Sequence, residues 1–330
     1  MRRHLRASTL VDVLVTLAVF LALGAMLTVW GRKTRAASQL SASMSNLEHI
    51  ASLSASYNAD NQDQAPALSW VQGVAPDSQF PDLIQQTVAG SAAGASSAQA
   101  VDIIRRRSRQ ASFPVQDSWA PHFMYAHLVL MDYAARDLPS LDFISPADAP
   151  RLSLARAEVQ GDRSAYSSSY EMSVWFGQME RLNAARQFGG WTSAGTHNQF
   201  TTGAAGVVGF FRPRRMSEVW YPAQKAYFFD RNERHFQARP MWFAEVGARP
   251  LVLAADGHCS ARETSRLTMG FDPALPFRGL PLQYIYRPNA PLDPVHPSFA
   301  EFTCLGLLRW TRGGLEGRDF DGADIDTSAW

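Results

Sequence analysis

Arg2-Arg3-His4-Leu5-Arg6-Ala7, then Ser8-Thr9-Leu10-Val11-Asp12, then an apolar run from Val13 to Trp30: this N-terminal stretch decides how the rest of the chain is read. Val13 to Trp30 holds no charge and no proline. With Leu10 to Asp12 added, it reaches the roughly 20 residues that a helix needs to cross a bilayer. It is longer than the ~7–15 apolar residues of a secretory signal core. The competing reading, a cleavable signal, would use Ala22-Leu23-Gly24 as its small-x-small site. An acid embedded in a bilayer costs roughly 2.5–3.5 kcal/mol, so Asp12 is a functional candidate. Arg2, Arg3 and Arg6 precede the run, and Arg32, Lys33 and Arg35 follow it. Charge alone therefore leaves the orientation open.

The helix is expected to outlast the membrane. No glycine or proline interrupts Arg32 to Ala65, and Leu40, Met44, Leu47, Ile50, Leu53 and Tyr57 recur at steps of three or four. That is one amphipathic stripe. Asn58 to Asp63 are turn formers, so one helix from about Ser8 to Tyr57 would run roughly 75 Å at 1.5 Å per residue.

Farther on, Pro66 to Ser112 is weakly patterned. Its low-complexity core, Ala89 to Ala98, reads as a flexible surface insertion. Trp119 to Arg136 reads as helical. Tyr170 to Phe176, Lys225 to Phe229, Arg249 to Ala254, His258 to Arg262, Leu282 to Arg287 and Leu305 to Thr311 read as strands. Asp256-Gly257 lies between two of them and predicts a tight hairpin with both residues at positive φ. A long helix followed by antiparallel strands predicts an α+β fold, the helix packed on an antiparallel β-sheet domain.

Composition narrows the function. Of 330 residues 46% are hydrophobic, enough for a large core, and the net charge of +1 lacks the basic field of a nucleic-acid binder. Arg105-Arg106-Arg107 is the one dense basic patch and reads as a solvated loop. Two cysteines, Cys259 and Cys304, exclude a four-cysteine zinc site. In an exported domain they could pair, if the hairpin at Asp256 met the Thr303 to Leu307 region; two separate buried thiols are the other reading.

Familiar catalytic spacings are missing: there is no Gly-x-Ser-x-Gly, no phosphate loop and no His-Glu-x-x-His. His122 and His127 are spaced wrongly for one helix face. His258 beside Cys259 points to the opposite side of a strand. Near the C-terminus Asp319, Asp321, Asp324 and Asp326 alternate around Gly322, a pattern able to gather oxygen ligands for calcium. A solvated acidic tail is the plainer reading. Apart from that calcium, no cofactor is expected, and the chain is not expected to be an enzyme.

Arg6-Ala7-Ser8-Thr9-Leu10-Val11-Asp12-Val13 resembles the start of type IV pilins and type II secretion pseudopilins. Their pattern is a basic leader, Gly, then Phe-Thr-Leu-x-Glu and an apolar helix. Thr9 and Leu10 match, Ala7 replaces the glycine, Ser8 the phenylalanine and Asp12 the glutamate. Ser45 to Ile50 with Ser56 to Asn61 resembles the Asn-Leu-x-x-Leu…Tyr-x-x-Asp-Asn segment of bacterial pseudopilin-like proteins. Pro250 to His258 is similar to their strand ending in Asp-Gly-His, although Val246 stands where many carry a histidine. Trp310 to Leu315 is similar to a family ending.

The resemblance implies cleavage by prepilin peptidase between Ala7 and Ser8, N-methylation of Ser8, and an ion pair between Asp12 and the amine of a neighbouring subunit. It implies residues 1–7 as leader, 8–31 as transmembrane helix, 32–60 as amphipathic helix, 61–112 as irregular insertion and 113–330 as the globular domain. The expected partners are prepilin peptidase, other pseudopilin subunits and the membrane, with no nucleic acid. The expected location is the bacterial inner membrane, single-pass, with the soluble domain on the periplasmic side. A membrane-anchored envelope protein that binds a ligand and never polymerises is the alternative.

Overall fold

The computed structural model describes residues 10–108, 110–116, 119, 121, 123–157, 161–177, 213–270 and 281–322, with the backbone alone for Leu10, Val11, Asp12, Val29, Arg32 and Phe123. The first element, α1, is one unbroken helix, Leu10–Asp60, of 51 residues. Described side chains from Val13 to Ser38 are all exposed. Beyond them the helix changes character. Leu47, Ile50 and Leu53 are buried, and Leu40, Met44 and Tyr57 lie half-buried against the same cluster, as the stripe predicts. Each fully buried aliphatic side chain contributes roughly 1.5–3 kcal/mol.

The helix stops where the turn formers begin. Gln62 (φ 56) and Asp63 (φ 67) take left-handed conformations, and Asp63 N–H donates back to Asn58 O at 2.8 Å. That six-to-one bond satisfies a carbonyl the helix would leave open. Ala65 N–H then donates to Arg214 O (2.7 Å), and Ser217 N–H to Asp63 Oδ2 (2.8 Å), fastening the helix end to the 213–217 segment.

The stretch expected to be irregular forms two helices, α2 (Pro81–Ala89) and α3 (Ala92–Arg107). Ala89 and Ser91 of the low-complexity run stay exposed, but Gly94 to Ala98 are buried within a regular helix, which corrects the flexible surface-insertion reading. Ser91 caps α3 by accepting from Gly94 N–H at 3.0 Å, and Ala95, Ala98, Val101 and Ile104 line its inner side without exposure. Alanine is the best helix former, and small side chains let α2 and α3 approach closely. Arg105 to Arg107 form the last turn of α3, where basic side chains complement the helix dipole. They are also paired rather than merely solvated. Arg105 holds Asp82 at 2.8 and 2.9 Å, Arg106 holds Asp102 at 2.7 Å, and Arg107 meets Asp132.

Phe123 to Ala134 is helical, a 3-10 segment leading into α4 (Met131–Ala134), and α5 spans Ala149–Ala157. A four-stranded antiparallel sheet follows in the order β1 (Tyr170–Met172), β2 (Ala226–Asp230), β5 (Leu251–Ala254), β6 (Cys259–Ala261). Two ribbons accompany it: β3 (Asn232–Glu233) with β4 (Met241–Trp242), and β7 (Gln283–Tyr286) with β8 (Phe302–Leu305). Mixed helix and antiparallel sheet bear out α+β at this coarse level.

Two local expectations change. Between β5 and β6 only Gly257 has positive φ (93°). Gly257 N–H donates to Ala254 O, and Ala254 N–H to His258 O, both at 2.9 Å. The loop is thus the three-residue kind, a turn closed by a left-handed glycine, rather than a two-residue turn. The strand expected from Leu305 to Thr311 lies earlier, as β8. Leu307 to Arg309 make a 3-10 turn instead, with Leu307, Leu308, Arg309 and Trp310 all buried. Arg309 N–H donates back to Gly306 O and Trp310 N–H to Leu307 O, both at 3.0 Å, local bonds of a 3-10 turn that replace the ladder of a strand.

Candidate functional site

Ala7 and Ser8 lie outside the described residues, as does the side chain of Asp12. The backbone of Asp12 stands in the first turn of α1. From Val13 onward α1 is long and apolar enough to cross a membrane, and none of its most apolar 18-residue window is buried. A helix apolar all round and unburied by its own domain fits a lipid environment.

Beyond α1 the fold conceals a set of buried charges that periodicity did not announce. On β1, Glu171 receives Arg309 Nε–H (2.9 Å) and Nη2–H (2.7 Å) and pairs with Arg231. Arg231 also holds Asp293 Oδ1 at 3.1 Å. Arg309 lies under the rings of Trp242, Phe243 and Tyr284, each centroid within 5.5 Å. Burial pushes the Glu171 carboxyl up, but Arg309 and Arg231 outweigh burial and hold it at about 2. The group is an ion in the core, neutralised on both sides.

A second set gathers near α5. Asp148 Oδ2 accepts from Arg151 (2.8 Å), Arg234 (2.7 Å) and the Ser169 hydroxyl (2.7 Å). Burial raises the Asp148 carboxyl, and Arg234, Arg151 and Ser169 bring it below its usual range. Asp230, at the end of β2, is different. Leu251 N–H donates to its Oδ2 at 3.2 Å, whereas Oδ1 has no hydrogen-bond partner among the described residues. Burial pushes this carboxyl up to about 7; Arg234 and the Leu251 amide pull down, and Glu233 and Asp148 push up.

The histidines and cysteines are dispersed. His122 lies outside the described residues. His127 is buried 4.7 Å from the Phe143 ring, and burial lowers it to about 3. His258 Nδ1 contacts Asp256 Oδ1 at 2.6 Å on the exposed hairpin. Cys259 and Cys304 are free thiols in this structure. Their strands belong to different sheets: Cys259 sits opposite Leu253 on β5, and Cys304 opposite Tyr284 on β7. Burial pushes both thiols up to about 12, well away from the reactive thiolate range.

Two members of the acidic tail part company. Asp319 turns inward, where its Oδ2 accepts from Ala226 N–H (2.8 Å) and lies 3.1 Å from Lys225 Nζ. Asp321 pairs with Arg262 at the surface. Asp319 therefore spends its oxygens on the core, not on a shared cation cradle. Asp324 and Asp326 lie outside the described residues. No group of three or more His, Cys, Asp or Glu that could hold a metal occurs among the described residues. A surface groove of about 380 Å³ opens between Leu138, Pro139, Arg156 and Tyr166, with Ser108 and Asp137 among its polar lining.

The buried charges were the functional-looking residues that sequence reading missed. A signal for them exists: Phe228-Phe229-Asp230-Arg231-Asn232-Glu233-Arg234 places four charges directly after an apolar strand. Comparison with known protein families, curated proteins and solved structures finds no match to this chain.

Proposed function

We propose that the chain is a pseudopilin-like structural subunit of a type II secretion or type IV pilus-like apparatus, anchored by α1. In this reading it crosses the bacterial inner membrane once, with its soluble domain on the periplasmic side. The carrying observation is the division of α1. Its first half is exposed and apolar, its second half is built into the soluble core, and no break separates them. A prepilin-like segment, Ala7 to Asp12, stands at the start of that helix. The second half is read as lying on the four-stranded sheet. Its close approach to β5 and β6, with the Tyr170 hydroxyl donating to Ser43 O at 3.4 Å, supports that packing.

Mechanically, the membrane half acts as a store and then as a filament core. Asp12 is tolerable in an apolar bundle only beside a positive group, and the methylated amine of Ser8 on a neighbouring subunit supplies one. The soluble domain contributes bulk and contact surface, and no catalysis is assigned to it. Coexpression with a prepilin peptidase should remove Met1 to Ala7 and leave N-methylated Ser8, read by mass spectrometry of the N-terminal peptide. An intact N-terminus, or cleavage beside Gly24, would sink this reading.

A further inference from the structure

Lys225 directly precedes β2, and Asp319 lies in the C-terminal segment that crosses the base of that strand. Both side chains are sealed from solvent, at 0% and 1% exposure, with Nζ 3.1 Å from Oδ2. Ala226 N–H donates to Oδ2 at 2.8 Å. The Thr311 hydroxyl, also fully buried, donates to Asp319 Oδ1 and accepts from Lys225 Nζ. The backbone clamps both residues: Asp319 N–H donates to Gln224 O (2.8 Å), and Ala255 N–H to Lys225 O (2.9 Å). Neither side chain has room or solvent to leave through.

A buried lysine and a buried aspartate have two ways to remain in such a place. They can stay charged, each desolvated and held by the other, which roughly breaks even. Or a proton can pass from one to the other, leaving an amine beside a carboxylic acid. Burial pushes the Lys225 amine down and the Asp319 carboxyl up, each opposed by the other's charge, and both directions favour the neutral forms. A fixed amine beside a fixed acid, with water excluded, is a reactant pair. Alignment of this kind raises effective concentration to about 10⁵–10⁸ M in well-oriented intramolecular reactions.

We propose that Lys225 and Asp319 join in an intramolecular amide bond, made by this chain's own residues. The Nζ lone pair attacks Cγ. The N–C bond forms, and the electron pair of the Cγ–Oδ2 double bond moves onto Oδ2, where Ala226 N–H stabilises it. Thr311 accepts a proton from Nζ and passes its own to Oδ1, the oxygen it already touches. The Cγ–Oδ1 bond then breaks, Oδ1 leaves as water, and Oδ2 returns to a carbonyl. Nothing is oxidised or reduced, and no cofactor enters. The bond closes a loop from β2 to the C-terminal segment and restrains the unfolded chain as a disulfide would, a service that the separate Cys259 and Cys304 do not provide.

Peptide mapping of the folded, full-length protein tests this independently of N-terminal processing. A branched tryptic peptide linking Lys225 to Asp319, one water lighter than its two components, is the expected result. Only linear peptides from folded protein would overturn the proposal. Lys225→Arg should give linear peptides throughout; a one-water loss persisting there would overturn the assignment of the nucleophile. Thr311→Val removes the relay and should slow formation of the branched peptide roughly 100-fold, a typical loss for a general acid–base group. Formation at the wild-type rate in Thr311→Val would overturn its catalytic role.

Discussion

Glu171 and Asp230 stand on neighbouring strands, yet their side chains project from opposite faces of one sheet. Tyr170 is paired with Asp230, and Glu171 with Phe229, so alternation sends the two acids to different sides. Glu171 meets two arginines and stays an ion. Asp230 meets one backbone amide and keeps an unpartnered oxygen. Burial is nearly equal, at 1% exposure each. The difference shows that the company a buried carboxyl keeps, not its depth, sets its charge. The largest expected effect follows from the ionised side. Glu171→Ala takes from Arg309 and Arg231 the carboxylate they share and should cost about 3–5 kcal/mol in denaturant unfolding. A loss under about 1 kcal/mol would show that solvent reaches the pair. Because the Glu171 carboxyl is held near about 2, its contribution is present above the ordinary 4.5 and lost as pH falls toward 2.

The Tyr170 and Asp230 side is the one α1 approaches, through Ser43. Ile50 is buried without exposure in the shared core. Ile50→Ala should cost roughly 2–5 kcal/mol, by lost transfer energy and by the cavity left behind. The same substitution at Leu21, exposed at 66%, should leave unfolding of the soluble domain unchanged. Equal losses at both positions would erase the division of α1 on which the proposed anchoring rests.

How much of this was legible beforehand depends on the kind of signal. Periodicity carried far: Leu47, Ile50 and Leu53 were readable as the inner stripe of α1. Local turn chemistry carried partly. Asp256-Gly257 marked the hairpin, but which turn closes it depends on the register of β5 against β6. Composition misled at Ala89 to Ala98. Serine and alanine were read as flexibility, although a capped helix of small residues buries well against another. The charged core was out of reach for a different reason. Glu171, Arg231, Asp293 and Arg309 lie far apart in the chain, and only the tertiary fold brings their charges together. For the candidate site, the long apolar stretch of α1 was plain from hydropathy alone. The inward turn of Asp319 was not, because an aspartate in a run of alternating acids reads as solvated.

The smallest effect in mild acid, and the finest test of the contrast, lies at Asp230. Its folded value, pushed to about 7 by burial and lowered only in part by Arg234 and the Leu251 amide, stands above the ordinary 3.8. The folded state therefore binds the proton more tightly than the unfolded chain does. Stability from this group is fully present below 3.8 and is lost as pH rises through about 7, the reverse of Glu171. Asp230→Asn keeps an oxygen for Leu251 N–H and places an amide where the neutral acid stood. At pH about 4 the variant should differ from wild type by less than about 1 kcal/mol, since the folded wild type holds the neutral form and the unfolded chain has only begun to ionise. By pH about 7 it should be the more stable protein, and its unfolding should lack the decline that wild type shows between about pH 4 and 7. Denaturant titrations across that range give the two slopes. Parallel slopes would mean that Asp230 is ionised like Glu171, and that the two faces of the sheet treat an acid alike.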